Sequence, residues 1–257
     1  MANNAFIAFI ANNDIIQYND TSTNDNEKAI GCNGLTEPNT ISSEEIMKAV
    51  LFDLDGTLTN TLDDIADSMN YALQMNGLEP HPVDAYRYMV GNGARILAER
   101  AVGERKDLLD AVYEAYMERY KDHAADKTCA YEGTMQLLKA LIQRGIKICV
   151  LSNKPHRDTI TVINHYFPDI HFDAVQGQIE GVPVKPDPAG AFALAEKLNV
   201  DPSDFAYLGD TKVDMTCAVR AGMHPFGALW GFRDADELIK AGAEILLKSP
   251  PELLAYI

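Results

Sequence analysis

Residues 49–57 read AVLFDLDGT, an apolar stretch that leads directly into two aspartates separated by one leucine. A short apolar run that stops at a glycine-containing turn is typical of a buried β-strand. Similar runs recur downstream, and we predict strands at residues 49–53, 147–152, 172–175, 205–209, 225–229 and 244–247. Amphipathic patterns between them predict helices at residues 133–144, 157–166, 188–198 and 212–221. Alternating strands and helices indicate an α/β fold with a doubly wound parallel sheet.

Residues 61–128 interrupt this alternation, because they carry no strand pattern and are helical in periodicity throughout. One apolar stripe consists of Leu62, Ile65, Ala66, Met69, Ala72 and Leu73. A second consists of Leu108, Leu109, Val112, Tyr113, Tyr116, Met117 and Tyr120. Such stripes are typical of helices that pack in a core. We therefore predict a small helical cap domain at 61–128, inserted into a core domain of residues 47–60 and 129–257 and able to act as a lid.

Residues 1–46 differ from the rest, because they are rich in Asn, Asp, Ser and Thr and hold seven acidic residues but one lysine. They lack sustained periodicity, so we predict a disordered extension, and Met47 is a candidate natural start. The apolar stretch from Ala5 to Ala11 has no basic residue before it, which argues against a secretion signal. We expect a cytoplasmic protein.

The composition excludes several classes of protein. The chain has 257 residues, 47% of them apolar, which suffices for one large domain or two modest ones. No apolar run approaches the roughly 18 residues of a membrane-spanning helix. The net charge of −16 disfavours nucleic acid and anionic membranes as partners. The cysteines Cys32, Cys129, Cys149 and Cys217 are scattered, which predicts reduced thiols.

The two aspartates of the opening stretch, Asp53 and Asp55, allow two interpretations by themselves. They could form a polar turn in which Gly56 permits an unusual backbone, or they could contribute to a cation site. A calcium loop does not fit, because its fifth and sixth positions would hold Thr57 and Leu58.

A second acidic pair follows another predicted strand, in the sequence GDTKVD at residues 209–214. Asp210 and Asp214 would meet Asp53 if their strands are neighbours, because parallel strands end at one edge of the sheet. Crowded carboxylates that also face a phosphate favour Mg²⁺. The alternatives are a helix N-cap for Asp210 and a solvated first-turn acid for Asp214.

Two further residues are candidates for binding an anion. Ser152 ends a predicted strand before a helix, where its hydroxyl could cap the helix or contact a phosphate. Lys185 lies in a proline-stiffened loop, VKPDP at residues 184–188. It could be a surface charge, or it could pair with a nucleophile and the oxygens of a transferring phosphoryl group.

Taken in order, four motifs carry a resemblance: FDLDGTL at residues 52–58, SNKP at 152–155, KPDP at 185–188 and GDTKVD at 209–214. From Met47 onward the chain resembles the haloacid dehalogenase superfamily, and within it looks like a phosphoglycolate phosphatase. The segments VGNG at 90–93 and WGFR at 230–233 are less specific, and they restrict the choice of subfamily only moderately. The resemblance implies a Rossmann-like α/β core with an inserted helical cap.

The resemblance also implies a chemistry for the first motif. Asp53 would attack phosphorus and become an aspartyl phosphate, while Asp55 would protonate the leaving alkoxide and later take a proton from water. An Asp at position 55 disfavours a dehalogenase, because a departing halide needs no proton. Magnesium would be held by the side chains of Asp53 and Asp210 and the backbone carbonyl of Asp55, and Asp214 would orient this shell. Substrate contacts would come from Thr57, Ser152, Asn153 and Lys185.

In the predicted cap, Gly91-Asn92-Gly93 is either a turn between helices or a specificity loop that reaches the site, and the resemblance favours the loop. The flanking Arg87 and Arg95 could each bind a substrate carboxylate or be a surface charge. Two residues receive no assigned role. His156, at a helix start, resembles a capping or solvent-facing histidine, and Asn60 stands where many relatives carry an aspartate.

The function we expect is hydrolysis of a small phosphate monoester, 2-phosphoglycolate being the best single guess, by a monomer or homodimer that binds neither nucleic acid nor membranes. A pyrophosphatase and a mutase of the β-phosphoglucomutase kind would share nearly every catalytic residue. A phosphate-binding protein without activity is disfavoured, because both Asp53 and Asp55 are present.

Overall fold

A computed structural model of the chain describes residues 9–11, 14–16 and 47–257. It divides into two compact units, Met1–Ile46 and Met47–Ile257. In the first, strands β1 (Phe9–Ala11) and β2 (Asp14–Ile16) pair antiparallel. The rest of the predicted disordered extension lies outside the described residues. Its disorder and the start at Met47 stay predictions.

The second unit contains eight strands. In chain order they are β3 (Ala49–Phe52), β4 (Thr59–Asn60), β5 (Cys129–Ala130), β6 (Lys147–Pro155), β7 (Ala174–Gln178), β8 (Phe205–Gly209), β9 (His224–Ala228) and β10 (Ile245–Leu247). Six of them form one sheet in the order β10-β9-β8-β3-β6-β7, and every neighbouring pair is parallel. The predicted parallel sheet is confirmed.

The helices are α1 (Leu62–Met75), α2 (Val83–Met89), α3 (Ala94–Val102), α4 (Leu109–His123), α5 (Thr134–Gln143), α6 (His156–Tyr166), α7 (Ala189–Leu198), α8 (Lys212–Ala221) and α9 (Ala235–Lys240). Short 3-10 turns lie at Lys106–Leu108, Pro202–Asp204 and Pro250–Ala255. Apolar residues of α5 and α6 pack on one face of the sheet and those of α7 and α8 on the other. The sheet is therefore doubly wound, as predicted.

Strand β3 is central because all four of its residues are apolar and fully buried. Its last residue, Phe52, pairs with Val150 of β6 on one side and Leu208 of β8 on the other. The chain proceeds from β3 to β6 and β7, then returns to β8 on the opposite side of β3. The carboxyl end of β3 therefore lies at the point where the strand order reverses, which is where open α/β sheets bind ligands.

Most predicted boundaries agree with the structure to within two residues, but β6 and β7 both end three residues later than predicted, β7 at Gln178 instead of residue 175. The end of β6 bears on the site. This strand was expected to stop at Ser152, whereas it continues to Pro155 because Pro155 pairs with Gln178 of β7 after an irregularity beyond Leu151. Ser152 consequently lies within the strand, and the N-cap of α6 is Pro155.

Residues 61–128 form the helical insertion, with α1 to α4 packed around an apolar cluster that also includes Phe232 of the core. Its two ends are joined where β4 pairs with β5, because Thr59 opposes Ala130 and Asn60 opposes Cys129. Asn60 also accepts a hydrogen bond from the N–H of Leu62 at the start of α1. We call residues 61–128 the cap insertion. Its separation into a domain of its own stays a prediction, since residues 47–257 form one compact unit.

Candidate active site

Asp53 directly follows the central strand, and Lys185 is its nearest charged partner. The backbone N–H of Asp53 donates to the carbonyl of Leu208 at 2.9 Å, which continues the ladder with β8. The buried Lys185 donates at 2.7 Å to Oδ1 of Asp53, at 2.7 Å to Oδ1 of Asp214 and at 2.8 Å to the carbonyl of Leu151. All three ammonium protons are therefore used. Among the described residues, hydrogen-bond donors reach Asp53 at Oδ1 only.

A third carboxylate, Asp210, completes an acidic cluster with Asp53 and Asp214. One oxygen from each of the three lies within 4.8 Å of the others, and all three residues are buried. The hydroxyl of Thr57 donates to Oδ1 of Asp210 at 3.1 Å and the N–H of Phe232 donates to Oδ2 at 2.8 Å. Asp210 is thus oriented by residues of two different loops.

Two glycines allow the backbone to approach Asp210 this closely. A Cβ atom on Gly56, whose φ is +93°, would lie 2.2 Å from Oδ2 of Asp210. One on Gly231 would lie 2.3 Å from the Cβ of Asp210. Both distances are shorter than real Cβ contacts. Glycine at both positions is therefore needed to hold Asp210 in place.

The crowding of carboxylates changes their protonation. Burial, with the nearby charge of Asp214, raises the pKa of Asp53 to about 7, although Lys185 opposes the shift. Burial and the charges of Asp53 and Asp214 raise the pKa of Asp210 well above its usual range. Burial alone lowers the pKa of Lys185, but the charges of Asp214 and Asp53 outweigh it and raise the pKa overall.

This donor set fits a hard divalent cation. Three buried carboxylates face each other with one lysine among them, so the cluster lacks the positive charge that would balance it. Oxygen ligands of this kind suit Mg²⁺. Asp53 has the most available oxygen, because its Oδ2 accepts from no described donor. Asp210 accepts one hydrogen bond at each oxygen, and Asp214 accepts three, from Lys185 and from the N–H and hydroxyl of Thr211. The cluster could therefore hold a metal ion.

Asp55, two residues after Asp53, pairs with a lysine of β6. Lys154 donates to both carboxylate oxygens of Asp55, at 2.9 and 3.0 Å, and to the hydroxyl of Tyr120 at 2.7 Å. Tyr120 belongs to α4 of the cap insertion. Burial raises the pKa of the Tyr120 hydroxyl well above its usual range, so the phenol stays neutral. Asp55, Lys154 and Tyr120 form a bridge between the two parts of the unit.

Asn153 fastens the loop that carries Lys185. Its carbonyl oxygen accepts from the N–H of Lys185 at 2.9 Å, and its amide donates to the carbonyls of Lys185 and Gly91, both at 2.9 Å. Gly91 is in the cap insertion, so this one side chain joins three segments. The neighbouring Ser152 is buried, and its hydroxyl accepts from the N–H of Lys154 at 3.2 Å.

A cavity of about 50 Å³ opens above these groups. Core residues on its wall include Asp53, Asp55, Ser152 and Lys154, and the cap insertion contributes Gly91, Gly93, Leu97, Tyr116 and Tyr120. Since one water needs roughly 10–15 Å³ measured this way, the space suits a compact ligand of a few heavy atoms.

Comparison with known proteins decides the family. The family model described as haloacid dehalogenase-like hydrolase matches residues 50–228, which is well over half of the chain. The chain belongs to the haloacid dehalogenase-like hydrolase family. A phosphoglycolate phosphatase of Psychrobacter arcticus is 32% identical over 200 residues, covering 74% of this chain and 86% of that protein. One of Rhodospirillum rubrum is 35% identical over 186 residues, covering 68% and 77%.

Solved structures agree with this placement. A crystal structure from Lactobacillus delbrueckii subsp. bulgaricus, provisionally described as a phosphoglycolate phosphatase, matches with a TM-score of 0.78 at 28% identity. The match covers 82% of this chain and 98% of that one. The predicted likeness to the haloacid dehalogenase superfamily and its Rossmann-like α/β fold are confirmed, and so is the prediction of an enzyme of the phosphoric monoester hydrolase class.

In this haloacid dehalogenase-like hydrolase the predicted site residues fall into three groups. Those that line the cavity are Asp53, Asp55, Ser152, Asn153, Gly91 and Gly93. Those packed against Asp53 are Lys185, Asp210 and Asp214. Two predicted substrate-binding residues, Thr57 and Asn92, do not line the cavity. The hydroxyl of Thr57 donates to Asp210, and the side-chain oxygen of Asn92 accepts from Arg100 at 2.8 Å.

Neither arginine considered for a substrate carboxylate lines the cavity. Arg87 donates to the carbonyls of Gly231 at 2.7 Å and Phe232 at 3.3 Å, so it fastens the cap insertion to the core. Arg95 is exposed and pairs with Asp110 on the surface. Both arginines are therefore engaged by other groups in this structure, and a role in binding a substrate carboxylate stays a prediction.

The structure contradicts the alternatives of an N-cap for Asp210 and a solvated first-turn acid for Asp214. The N-cap of α8 is Thr211, and Asp214 closes a capping box with it. Asp214 is buried against Lys185, so it is not a solvated first-turn acid. His156, to which no role was assigned, accepts from the N–H of Gly177 at 3.1 Å.

Sequence reasoning missed Lys154 and Tyr120. Lys154 stood inside the quoted SNKP motif, yet only its neighbours were singled out, and Tyr120 was assigned to an apolar stripe. It also missed how residues 230–233 connect the site to the cap insertion, where Arg233 donates to the carbonyl of Val90 at 3.1 Å. The available signal for this contact was the presence of both VGNG at 90–93 and WGFR at 230–233 in one chain.

None of the helices in residues 47–257 is both long enough and apolar enough to cross a bilayer.

Proposed function

We propose that this chain is a Mg²⁺-dependent phosphatase that hydrolyses a small phosphate monoester through an aspartyl phosphate on Asp53. The observation that carries the proposal is the arrangement around Asp53. Lys185 holds one carboxylate oxygen at 2.7 Å, while no described donor reaches the other, and the residue lines the cavity. A carboxylate fixed by one oxygen and open at the other is suited to in-line attack.

In the first step, Oδ2 of Asp53 attacks phosphorus and the bond between phosphorus and the ester oxygen breaks. The leaving alkoxide takes a proton from Asp55, which lines the same cavity. The positive charge of Lys185, whose three protons are held by Asp53, Asp214 and the Leu151 carbonyl, acts on the phosphoryl oxygens at short range. The hydroxyl of Ser152, on the cavity wall, can donate to those oxygens. This step leaves an aspartyl phosphate and a free alcohol.

In the second step, water attacks the same phosphorus and gives a proton to Asp55, which is now a carboxylate. The bond between phosphorus and the Asp53 oxygen breaks, and inorganic phosphate leaves. Asp53 returns as a carboxylate and Asp55 returns protonated, so the cycle closes without another reactant.

Magnesium belongs to this proposal because the donor set fits it. The side chains of Asp53 and Asp210 and the backbone carbonyl of Asp55 would hold the ion. Asp214, which is fixed by Lys185 and Thr211, would orient these ligands. When bound, the ion supplies the positive charge that offsets the phosphoryl oxygens as the transfer proceeds.

We propose 2-phosphoglycolate as the substrate, because relatives at 32% and 35% identity are phosphoglycolate phosphatases and the cavity suits a compact ligand. A pyrophosphatase and a phosphosugar mutase remain alternatives that use the same residues. The small cavity disfavours the mutase, which must hold a whole sugar phosphate in two orientations. A cytoplasmic monomer or homodimer remains our expectation for location and assembly.

The test is phosphate release from 2-phosphoglycolate, pyrophosphate and glucose 1-phosphate by the full chain, with Mg²⁺ and with EDTA. We expect Mg²⁺-dependent turnover that is fastest with 2-phosphoglycolate and abolished in Asp53→Asn. Asp169→Asn, an exposed aspartate on the described surface, serves as the matched control and should match the unaltered chain. Turnover that survives Asp53→Asn, or that ignores Mg²⁺, would refute the proposal.

A further inference from the structure

Lys154 has the geometry of a residue that holds Asp55 in position. Its ammonium contacts both oxygens of the Asp55 carboxylate, at 2.9 and 3.0 Å, so the carboxylate cannot rotate without breaking one of these bonds. The side chain of Lys154 is 4% exposed and that of Asp55 is 19% exposed. Water therefore has little access to replace the lysine.

The third partner of Lys154 comes from the cap insertion. The Tyr120 hydroxyl accepts from the ammonium at 2.7 Å, and the ammonium also lies 4.7 Å from the centre of the Tyr120 ring. Tyr120 is itself stacked on Tyr116 with ring centres 5.3 Å apart, and both residues are buried. The position of Lys154 is consequently set by α4, which belongs to the other side of the cavity.

We propose that Lys154 is a positioning residue for Asp55, and that Tyr120 makes this positioning depend on the cap insertion. The inference rests on the proposed function, in which Asp55 transfers the proton to the leaving group. Asp53 is fixed by Lys185 and Asp55 by Lys154, so two separate lysines orient the nucleophile and the acid. Once Asp55 is protonated, one of its oxygens still accepts from Lys154 while the other carries the proton toward the leaving group. Displacement of α4 would free Lys154, and with it Asp55, without disturbing Asp53.

A positioning role can be distinguished from a general effect on charge or folding by comparing two substrates whose leaving groups differ in their need for a proton. A positioned general acid contributes typically about 10²–10⁴ in rate when the leaving group needs a proton. 2-Phosphoglycolate releases an alkoxide, which needs one. Acetyl phosphate, of similar size, releases acetate, which leaves without a proton. The value of kcat/KM reports the steps up to the first irreversible one, here phosphoryl transfer to Asp53, so it isolates departure of the leaving group.

The experiment measures kcat/KM for both substrates with Mg²⁺ in the unaltered full chain and in Lys154→Met. We expect kcat/KM for 2-phosphoglycolate to fall by about 10–10²-fold and that for acetyl phosphate by less than about threefold. Lys147→Met is the matched control. Lys147 begins the same strand, its ammonium binds the carbonyl of Leu198 at 2.6 Å, and its loss should leave the ratio of the two kcat/KM values unchanged.

The contribution of the cap insertion is tested with Tyr120→Phe, which keeps the ring and removes only the hydroxyl. We expect the ratio to shift in the same direction as in Lys154→Met but less, and we expect no added effect in the double variant, because the tyrosine acts through the lysine. Tyr113→Phe is the control, because Tyr113 is on the same helix but packs against Arg95, away from the cavity wall.

Three results would overturn the inference. Equal losses in kcat/KM for both substrates would show that Lys154 acts on the phosphoryl group. Weaker binding of 2-phosphoglycolate by Asp53→Asn when Lys154→Met is added, measured by calorimetry, would show that Lys154 binds the substrate. Additive effects of Lys154→Met and Tyr120→Phe would remove the link to the cap insertion. An unaltered chain that turns over neither substrate would instead refute the proposed function itself, and the inference with it.

Discussion

The ammonium nitrogen of Lys185 lies 2.7 Å from Oδ1 of Asp53, although 132 positions separate the two residues in the chain. The contact exists because Asp53 follows the central strand and Asn153 fastens the Lys185 loop at the same edge of the sheet. The lysine fixes one oxygen of the carboxylate and partly offsets the two acids that surround it.

Loss of the lysine should disable the site more than it unfolds the chain. In Lys185→Met, Asp53 and Asp214 lose their shared cation, so we expect kcat for 2-phosphoglycolate to fall by roughly 10²–10³-fold, the usual effect of removing one donor to a developing charge. Steady-state kinetics checks this, and thermal unfolding with Mg²⁺ present should show a cooperative transition. Lys197→Met, an exposed lysine on α7, is the control. Near-normal kcat in Lys185→Met would contradict the assigned role.

The acidic cluster should make the folded chain more stable when Mg²⁺ is present. A ligand at 100 times its dissociation constant stabilises a protein by about 2.7 kcal/mol, which for a chain of this size corresponds to a rise in Tm of about 5–10 °C. We expect a shift of this order in a thermal scan that compares saturating MgCl₂ with EDTA.

In Asp210→Asn the same scan should show almost no Mg²⁺-dependent shift. The metal-free variant should be at least as stable as the unaltered chain. Burial raises the pKa of Asp210 in the folded state, so keeping this group in the fold costs stability at any pH above the ordinary aspartate value. Asp169→Asn should keep the full shift. A normal shift in Asp210→Asn would place the ion elsewhere.

The joint between the two ends of the cap insertion, where it meets the core, should depend on one buried acid, Asp64. Its carboxylate accepts from the N–H groups of Lys127 and Thr128 and from the Thr128 hydroxyl, at 2.7–3.1 Å. Asp64→Ala leaves these donors without their acceptor, and we expect it to lower the free energy of unfolding by about 2–4 kcal/mol, because hydrogen bonds to a charged group are worth about 1.5–3 kcal/mol each.

Asp67, on the same helix, supplies the comparison for Asp64. It pairs with the ammonium of Lys127 at 2.6 Å, but both side chains are about half exposed. Such surface pairs contribute about 0–1 kcal/mol, so Asp67→Ala should cost little. Urea unfolding of the two variants measures the difference, and equal costs would show that the Asp64 contacts do not hold the joint.

The sheet and the acidic cluster could be predicted because they depend on local patterns. The length of the apolar runs and the turns that follow them identified β3 and β8. Parallel strands that are neighbours end at the same edge of the sheet, which brings Asp53 and Asp210 together. The sequence 205–209 was predicted as a strand with the bounds that it has in the structure. The helix 212–221 also agrees at both ends, where the structure has a capping box at Thr211 and Gly222 after the last turn.

The contacts between the cap insertion and the core could not be predicted in this way. Lys154 and Tyr120 are 34 positions apart and meet only because α4 lies over the end of β6. Spacing places Arg87 near the site but does not say which side of its helix faces the core, and in the structure it binds the carbonyls of Gly231 and Phe232. Tertiary packing decides such contacts, and periodicity carries no information about it.

The most direct test of the account is to trap the phosphoryl group on Asp53. The full chain, in excess over radiolabelled 2-phosphoglycolate and with Mg²⁺, is quenched in acid within one turnover, digested and mapped by mass spectrometry. The account predicts one phosphoryl group on the peptide that contains Asp53, and none on any peptide of Asp53→Asn. Complete turnover with no label on that peptide, or with the label on another residue, would contradict it.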